Sequence, residues 1–225
     1  MVDFTALTTV GLKRWQNAKL TRKSESDAVA KRLIDAKARY QVVEQATGVP
    51  WFVISVIHQR ESSQNWRGSL AQGDDWSKVS IHVPAGRGPF ASWEAAAIDA
   101  LVNCHPYLAK RKDWSLAGIL IALELYNGLG YATKGVPSPY LWSGTDQYKS
   151  GKYVADGKYD PDTVDKQLGC VALLKSMMAL DPTITFTGVA VKPPDPPKPQ
   201  PELKPQGSVF GAFFNALLGL FKRKQ

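Results

Sequence analysis

PWFVISVIHQRESSQN, Pro50 to Asn65, is the stretch whose reading decides the fold. It follows Gly48, a stop for a preceding helix, and Pro50 suits a first helical turn, where a missing backbone N–H costs nothing. Trp51, Phe52, Val53, Ile54, Val56 and Ile57 are apolar nearly all round, the pattern of a helix buried inside a domain. Ile54, Ile57 and Glu61 fall on one helical face, so the spacing predicts a carboxylate beside an apolar wall near the helix end. Desolvation by that wall and the negative end of the helix dipole both raise a carboxyl pKa. A carboxyl kept protonated near neutral pH is what a general acid requires. A helix-end glutamate that simply turns into water is the alternative.

The chain has 225 residues, of which 44% are hydrophobic, and a net charge of +8. That is enough for one domain with a substantial core plus appendages, and the charge favours an anionic partner. There is no zinc-finger or helix-turn-helix signature and no alternation of aromatic and basic residues, so nucleic acid is not the expected partner. Cys104 and Cys170 each sit in apolar helical context and read as buried thiols. His58, His82 and His105 have no ligand spacing, so neither a metal nor another cofactor is expected. MVDFTALTTVG lacks the charged and apolar regions of an ordinary signal peptide, and the protein is expected to be made in the cytoplasm. No apolar run reaches the roughly 18–20 residues that span a membrane.

Around the central helix, residues 3–20 read as helical, and a second helix, capped by Ser24 or Ser26, runs to about Ala46. Residues 64–90 are rich in Gly, Asp, Ser and Pro. They predict an irregular loop with a strand or hairpin at Val79 to Val83. Ser92 caps a helix over Trp93 to Cys104. Trp114 to Tyr126 is another, with Glu124 its only charge, and Asn127-Gly128 stops it. Glu124 is placed either in the cleft or against Arg60. A Gly-, Tyr- and Pro-rich segment follows, carrying Tyr131, Tyr140, Trp142, Tyr148, Tyr153 and Tyr159. These aromatics suit sugar faces or pin the loop, with equal weight. The last helix is expected over Thr163 to Leu180, started by Asp160-Pro161-Asp162.

The expected organisation is a mainly α, α+β domain over 1–187, with a Pro-rich linker over 188–206 and an amphipathic cationic helix over 207–225. Residues 191–206 hold seven prolines, an extended spacer. Phe210, Phe213, Phe214, Leu217, Leu218 and Phe221 form one apolar face, followed by Lys222, Arg223 and Lys224, which fits a helix lying in an anionic membrane interface. Docking of that tail on the domain, or pairing between chains, is the alternative.

HQRESSQN, residues 58–65, resembles the Glu-Ser motif of lysozyme-like lytic transglycosylases and goose-type lysozymes. LYNG, residues 125–128, resembles their Tyr-Asn-Ala-Gly motif. SPYLWSGTDQYKSGKYVAD, residues 138–156, with VPAGRG, residues 83–88, is more similar still to phage endolysins and bacterial lysozyme-like hydrolases. The resemblance covers roughly 25–180. It departs where transglycosylases carry a Gly-Leu-Met-Gln-like segment, here QGDDWSKVSIHVPAGRG.

The resemblance implies a lysozyme-like fold and cleavage of the bond between N-acetylmuramic acid and N-acetylglucosamine. Glu61 is then the acid, Ser62 and Ser63 position sugar, and Tyr126 and Asn127 lie near the acid. Tyr131, Tyr140 and Trp142 are the aromatic substrate-binding candidates. Asp75, with Asp74 beside it, is the candidate second carboxylate, or else a solvated turn residue. Hydrolysis and lytic transglycosylation both remain open at this point. The implied partner is peptidoglycan, met by a monomer at the cell wall. A non-catalytic wall-binding module and a membrane-active protein working through its tail are the other classes.

Overall fold

The computed structural model describes residues 2–186. The Pro-rich segment and the cationic tail over 207–225 lie outside the described residues. The chain is mainly helical, with one small antiparallel hairpin among the described residues.

The central helix, α4 (Trp51–Ser62), has every residue from Trp51 to His58 buried. Its four aliphatic residues Val53, Ile54, Val56 and Ile57 are wholly shielded. Burial of each such side chain contributes about 1.5–3 kcal/mol, so the helix is held by packing rather than by its caps. Pro50 is the capping residue itself, just outside the first turn.

α1 (Phe4–Asn17) is capped by Asp3, whose carboxylate accepts from the N–H groups of Thr5 and Ala6. The single helix expected up to Ala46 is instead two, α2 (Lys23–Asp35) and α3 (Lys37–Thr47), broken at Ala36. Neither serine caps: Ser24 lies inside α2, and Ser26 is buried with its hydroxyl donating to the Arg22 carbonyl. The break follows the packing. α2 lies mainly on α9 (Cys170–Leu180), whereas α3 lies on α4 and on α5 (Trp93–Asn103). One straight rod does not reach both sets of partners. Ser92 caps α5 as expected, accepting from the Ala95 N–H.

α6 (Leu116–Asn127) packs on α1 and ends at Gly128, whose φ of +90° lies in the region that favours glycine. The short α7 (Gly130–Lys134) and α8 (Pro139–Trp142) follow. Then β1 (Lys152–Ala155) pairs antiparallel with β2 (Lys158–Asp160). In sequence these strands are indistinct within the Gly-, Tyr- and Pro-rich segment, because each is only three or four residues long.

Two further expectations are corrected. Val79 to Val83 is not a strand: Ile81 and Val83 stand 80% and 87% exposed, and the N–H groups of Ile81 and His82 donate to the Asp74 carboxylate. The last helix starts at Cys170, not Thr163. Asp160 accepts from the N–H groups of Asp162 and Thr163, closing a turn. The chain then runs irregularly to Gly169, which carries Asp165 into the interior while Val164 stays exposed.

Candidate active site

Helix α4 ends at Glu61-Ser62, and the chain turns sharply at Ser63, which has a left-handed φ of +54°. The Ser62 hydroxyl faces the backbone, 3.2 Å from the His58 carbonyl. Ser63 is the helix cap and is exposed. The loop then crosses directly over the helix end. A Cβ at Gly73 would lie 2.9 Å from the Glu61 carbonyl oxygen, and one at Gly68 would lie 2.7 Å from Ser62 Cβ. Only glycine permits these approaches, and Gly73 has in addition a φ of +77°.

The loop is pinned from three sides. His58 is buried within α4, and burial pushes its pKa down to about 4, so the ring is neutral. Its Nε2 lies 3.0 Å from the Asn65 carbonyl, which only accepts, so Nε2 carries the proton and Nδ1 accepts from the Tyr40 hydroxyl at 2.9 Å. The Trp93 indole N–H donates to the Gly68 carbonyl at 3.1 Å. The Tyr126 hydroxyl donates to the Leu70 carbonyl at 2.9 Å.

Within this frame Glu61 is half-buried. Its Oε1 accepts from the Tyr140 hydroxyl at 2.9 Å. Burial pushes its pKa up to about 7, against the opposing pull of that hydrogen bond and of the Arg60 cation. Burial therefore wins, and the carboxyl is poised between its two protonation states near neutral pH. Tyr140 is held in turn by its own burial and by Arg60, whose guanidinium carbon lies 4.8 Å from the ring centre.

Arg60 makes a buried ion pair with Asp165 at 2.9 Å, and Lys152 reaches the other oxygen of Asp165 at 3.0 Å. Burial pushes the Asp165 pKa up, but Arg60 and Lys152 together more than reverse it, so the residue stays ionised. The Tyr148 hydroxyl accepts from its backbone N–H at 3.0 Å. A groove of about 340 Å³ opens here, lined by Arg60, Asn127, Tyr131, Lys152, Tyr153 and Gln167 among others. The Asn127 amide donates to Ser138 Oγ at 3.2 Å. Tyr131 accepts the Tyr153 N–H at 3.0 Å and meets that ring edge-on, so it pins the hairpin while lining the groove. Sequence reasoning missed Asp165, Lys152 and Gln167. The available signal was a lone Arg60 beside the acid, which requires a counter-charge if it is buried.

The remaining sequence candidates are placed elsewhere or engaged otherwise. Asp75 is bound to Arg67 at 2.9 Å and to the Ser77 hydroxyl and N–H, which hold its carboxyl well below the usual range. Asp74 is bound to His82. Trp142 is 2% exposed and lines a different groove, beside α1, because α8 turns only Tyr140 towards Glu61. It is a core residue, not a sugar platform. Glu124 neither pairs with Arg60 nor lines the groove beside it. It sits with Arg14 on the α1 side of α6.

Among the described residues, no three His, Cys, Asp or Glu side chains come together as metal ligands, and no helix is long and apolar enough to cross a membrane. Fold and site together define a mainly helical domain with a near-neutral carboxyl at a helix end and a polar, aromatic groove that is lined by the neighbouring Arg60 rather than by Glu61 itself. No family model, curated protein or solved structure matches the chain.

Proposed function

We propose that this chain, a lysozyme-like domain, cleaves the β-1,4 bond between N-acetylmuramic acid and N-acetylglucosamine in peptidoglycan, with Glu61 as the general acid. The observation that carries the reading is the Glu61 carboxyl, pushed by burial to about 7 and oriented by the Tyr140 hydroxyl. Protonated, it gives its proton to the glycosidic oxygen as the C1–O bond breaks, and the muramic ring passes through an oxocarbenium-like state. The groove beside Arg60 offers hydroxyl, amide and aromatic groups that suit a sugar, and the net charge of +8 favours adsorption to an anionic wall.

For the second half of the reaction, the lytic route is favoured. Asp75 is engaged by Arg67 and Ser77, which makes it a weak base, and Asp74 is engaged by His82. In the lytic route the muramic 6-hydroxyl attacks C1 and returns its proton to the Glu61 carboxylate. One residue then serves as acid and base, and the enzyme is reset.

Mass spectrometry of muropeptides released from purified walls tests this. Anhydro-muramic ends, formed at an unchanged rate by Asp75→Asn, are expected. Reducing muramic ends, with a rate loss in Asp75→Asn, would instead assign hydrolysis with Asp75 as the base. Reducing N-acetylglucosamine ends would overturn the bond assignment.

A further inference from the structure

Away from Glu61, the α1, α6 and α7 helices enclose a groove of about 440 Å³. That volume is within the range of small-molecule sites, roughly 300–1,000 Å³. Leu7 and Val10 of α1, Leu120 of α6, Val136 after α7, and Leu141 and Trp142 of α8 supply apolar wall. The charged groups that line it are Asp3, Arg14 and Glu124. Asp3 is occupied in capping α1. Glu124 is 6% exposed: its Oε2 is shut from solvent, its Oε1 is the oxygen left open to the groove, and neither has a hydrogen-bond partner among the described residues. Arg14 acts on it across space without forming an ion pair. A buried carboxyl with an open acceptor is costly unless something pairs with it, and nothing in the proposed reaction uses this one.

We propose that this groove binds a small aliphatic amine, with Glu124 receiving the ammonium group and the apolar wall receiving the hydrocarbon. An ammonium in the groove meets the Glu124 oxygen that stays open to it, supplying a donor and completing the partial compensation that Arg14 gives across space, and such charge-assisted bonds are about twice as strong as neutral ones. A carboxylate ligand would set a second negative charge against Glu124. An alcohol satisfies the acceptor but leaves the charge unpaired.

The test uses the full chain at pH 8, above the value of about 7 to which burial pushes Glu124. n-Hexylammonium, 1-hexanol and hexanoate are titrated separately and followed by amide chemical shifts. Saturating shifts are expected for hexylammonium on α1, α6 and α7, with affinity about tenfold or more above that of hexanol, a difference of about 1.4 kcal/mol. No saturation is expected for hexanoate. Glu124→Gln should bring hexylammonium down to the affinity of hexanol. Ala6→Phe, at an exposed position on the lip, should weaken both. Equal binding of the amine and the alcohol, shifts centred elsewhere, or an unchanged preference in Glu124→Gln would each overturn the proposal.

Discussion

Replacing Glu61 by Gln tests both halves of the argument about the acid at once. Glutamine preserves shape, and its side-chain oxygen can still accept from the Tyr140 hydroxyl. What it removes is the ionisation. In the folded protein the Glu61 carboxyl titrates at about 7, against 4.5 for the free group. The folded state therefore holds the proton more tightly than the unfolded state. Stability associated with the neutral form is fully present below about 4.5 and is lost as pH rises through about 7. At 1.36 kcal/mol per pH unit that loss has a ceiling of about 3 kcal/mol, and residual solvation of a half-buried group brings it to about 1–3 kcal/mol. Urea unfolding of both proteins at pH 4, 6 and 8 reads it directly. The variant should match the wild type at pH 4 and exceed it at pH 8. Glu124, which also titrates at about 7, is present in both proteins and cancels in the difference. The same variant should lose about 10²–10⁴ of the rate of wall lysis, the usual cost of a missing general acid. Parallel stability curves would show that Glu61 is not held protonated. Retention of more than a few per cent of the rate would end the catalytic assignment.

Tyr140→Phe removes a donor that favours ionised Glu61, so the alkaline limb of the lysis profile should move up by about one pH unit; a limb that stays in place contradicts the hydrogen bond's role. Asp165→Ala leaves Arg60 buried without its partner and should cost about 3–5 kcal/mol in denaturant unfolding. Gly73→Ala places a methyl against the Glu61 carbonyl at a positive φ and should cost about 1–3 kcal/mol, lowering lysis as the helix end is displaced; a neutral effect on both would mean that the loop does not clamp the acid.

The sequence alone determined the elements whose signal is local. The buried helix at 51–62, the Ser92 cap, the glycine stop after Asn127 and the placing of a carboxylate on the Ile54/Ile57 face all follow from spacing and from backbone chemistry within a few residues. Long-range partners were decided only by the tertiary structure. Nothing near Ala36 in sequence breaks a helix, yet α2 and α3 part there because they pack on different neighbours. Val79 to Val83 alternates like a strand, but Asp74 takes the N–H groups of Ile81 and His82, and the Ser80 N–H goes to the Arg87 carbonyl, so no ladder forms there. The candidate site divides in the same way. Glu61 was legible from its own helix, whereas Tyr140, 79 residues away, and Asp165, 105 residues from Arg60, became its surroundings only on folding. Burial of a charge fixes that it must have a partner, and only the assembled chain fixes which residue the partner is.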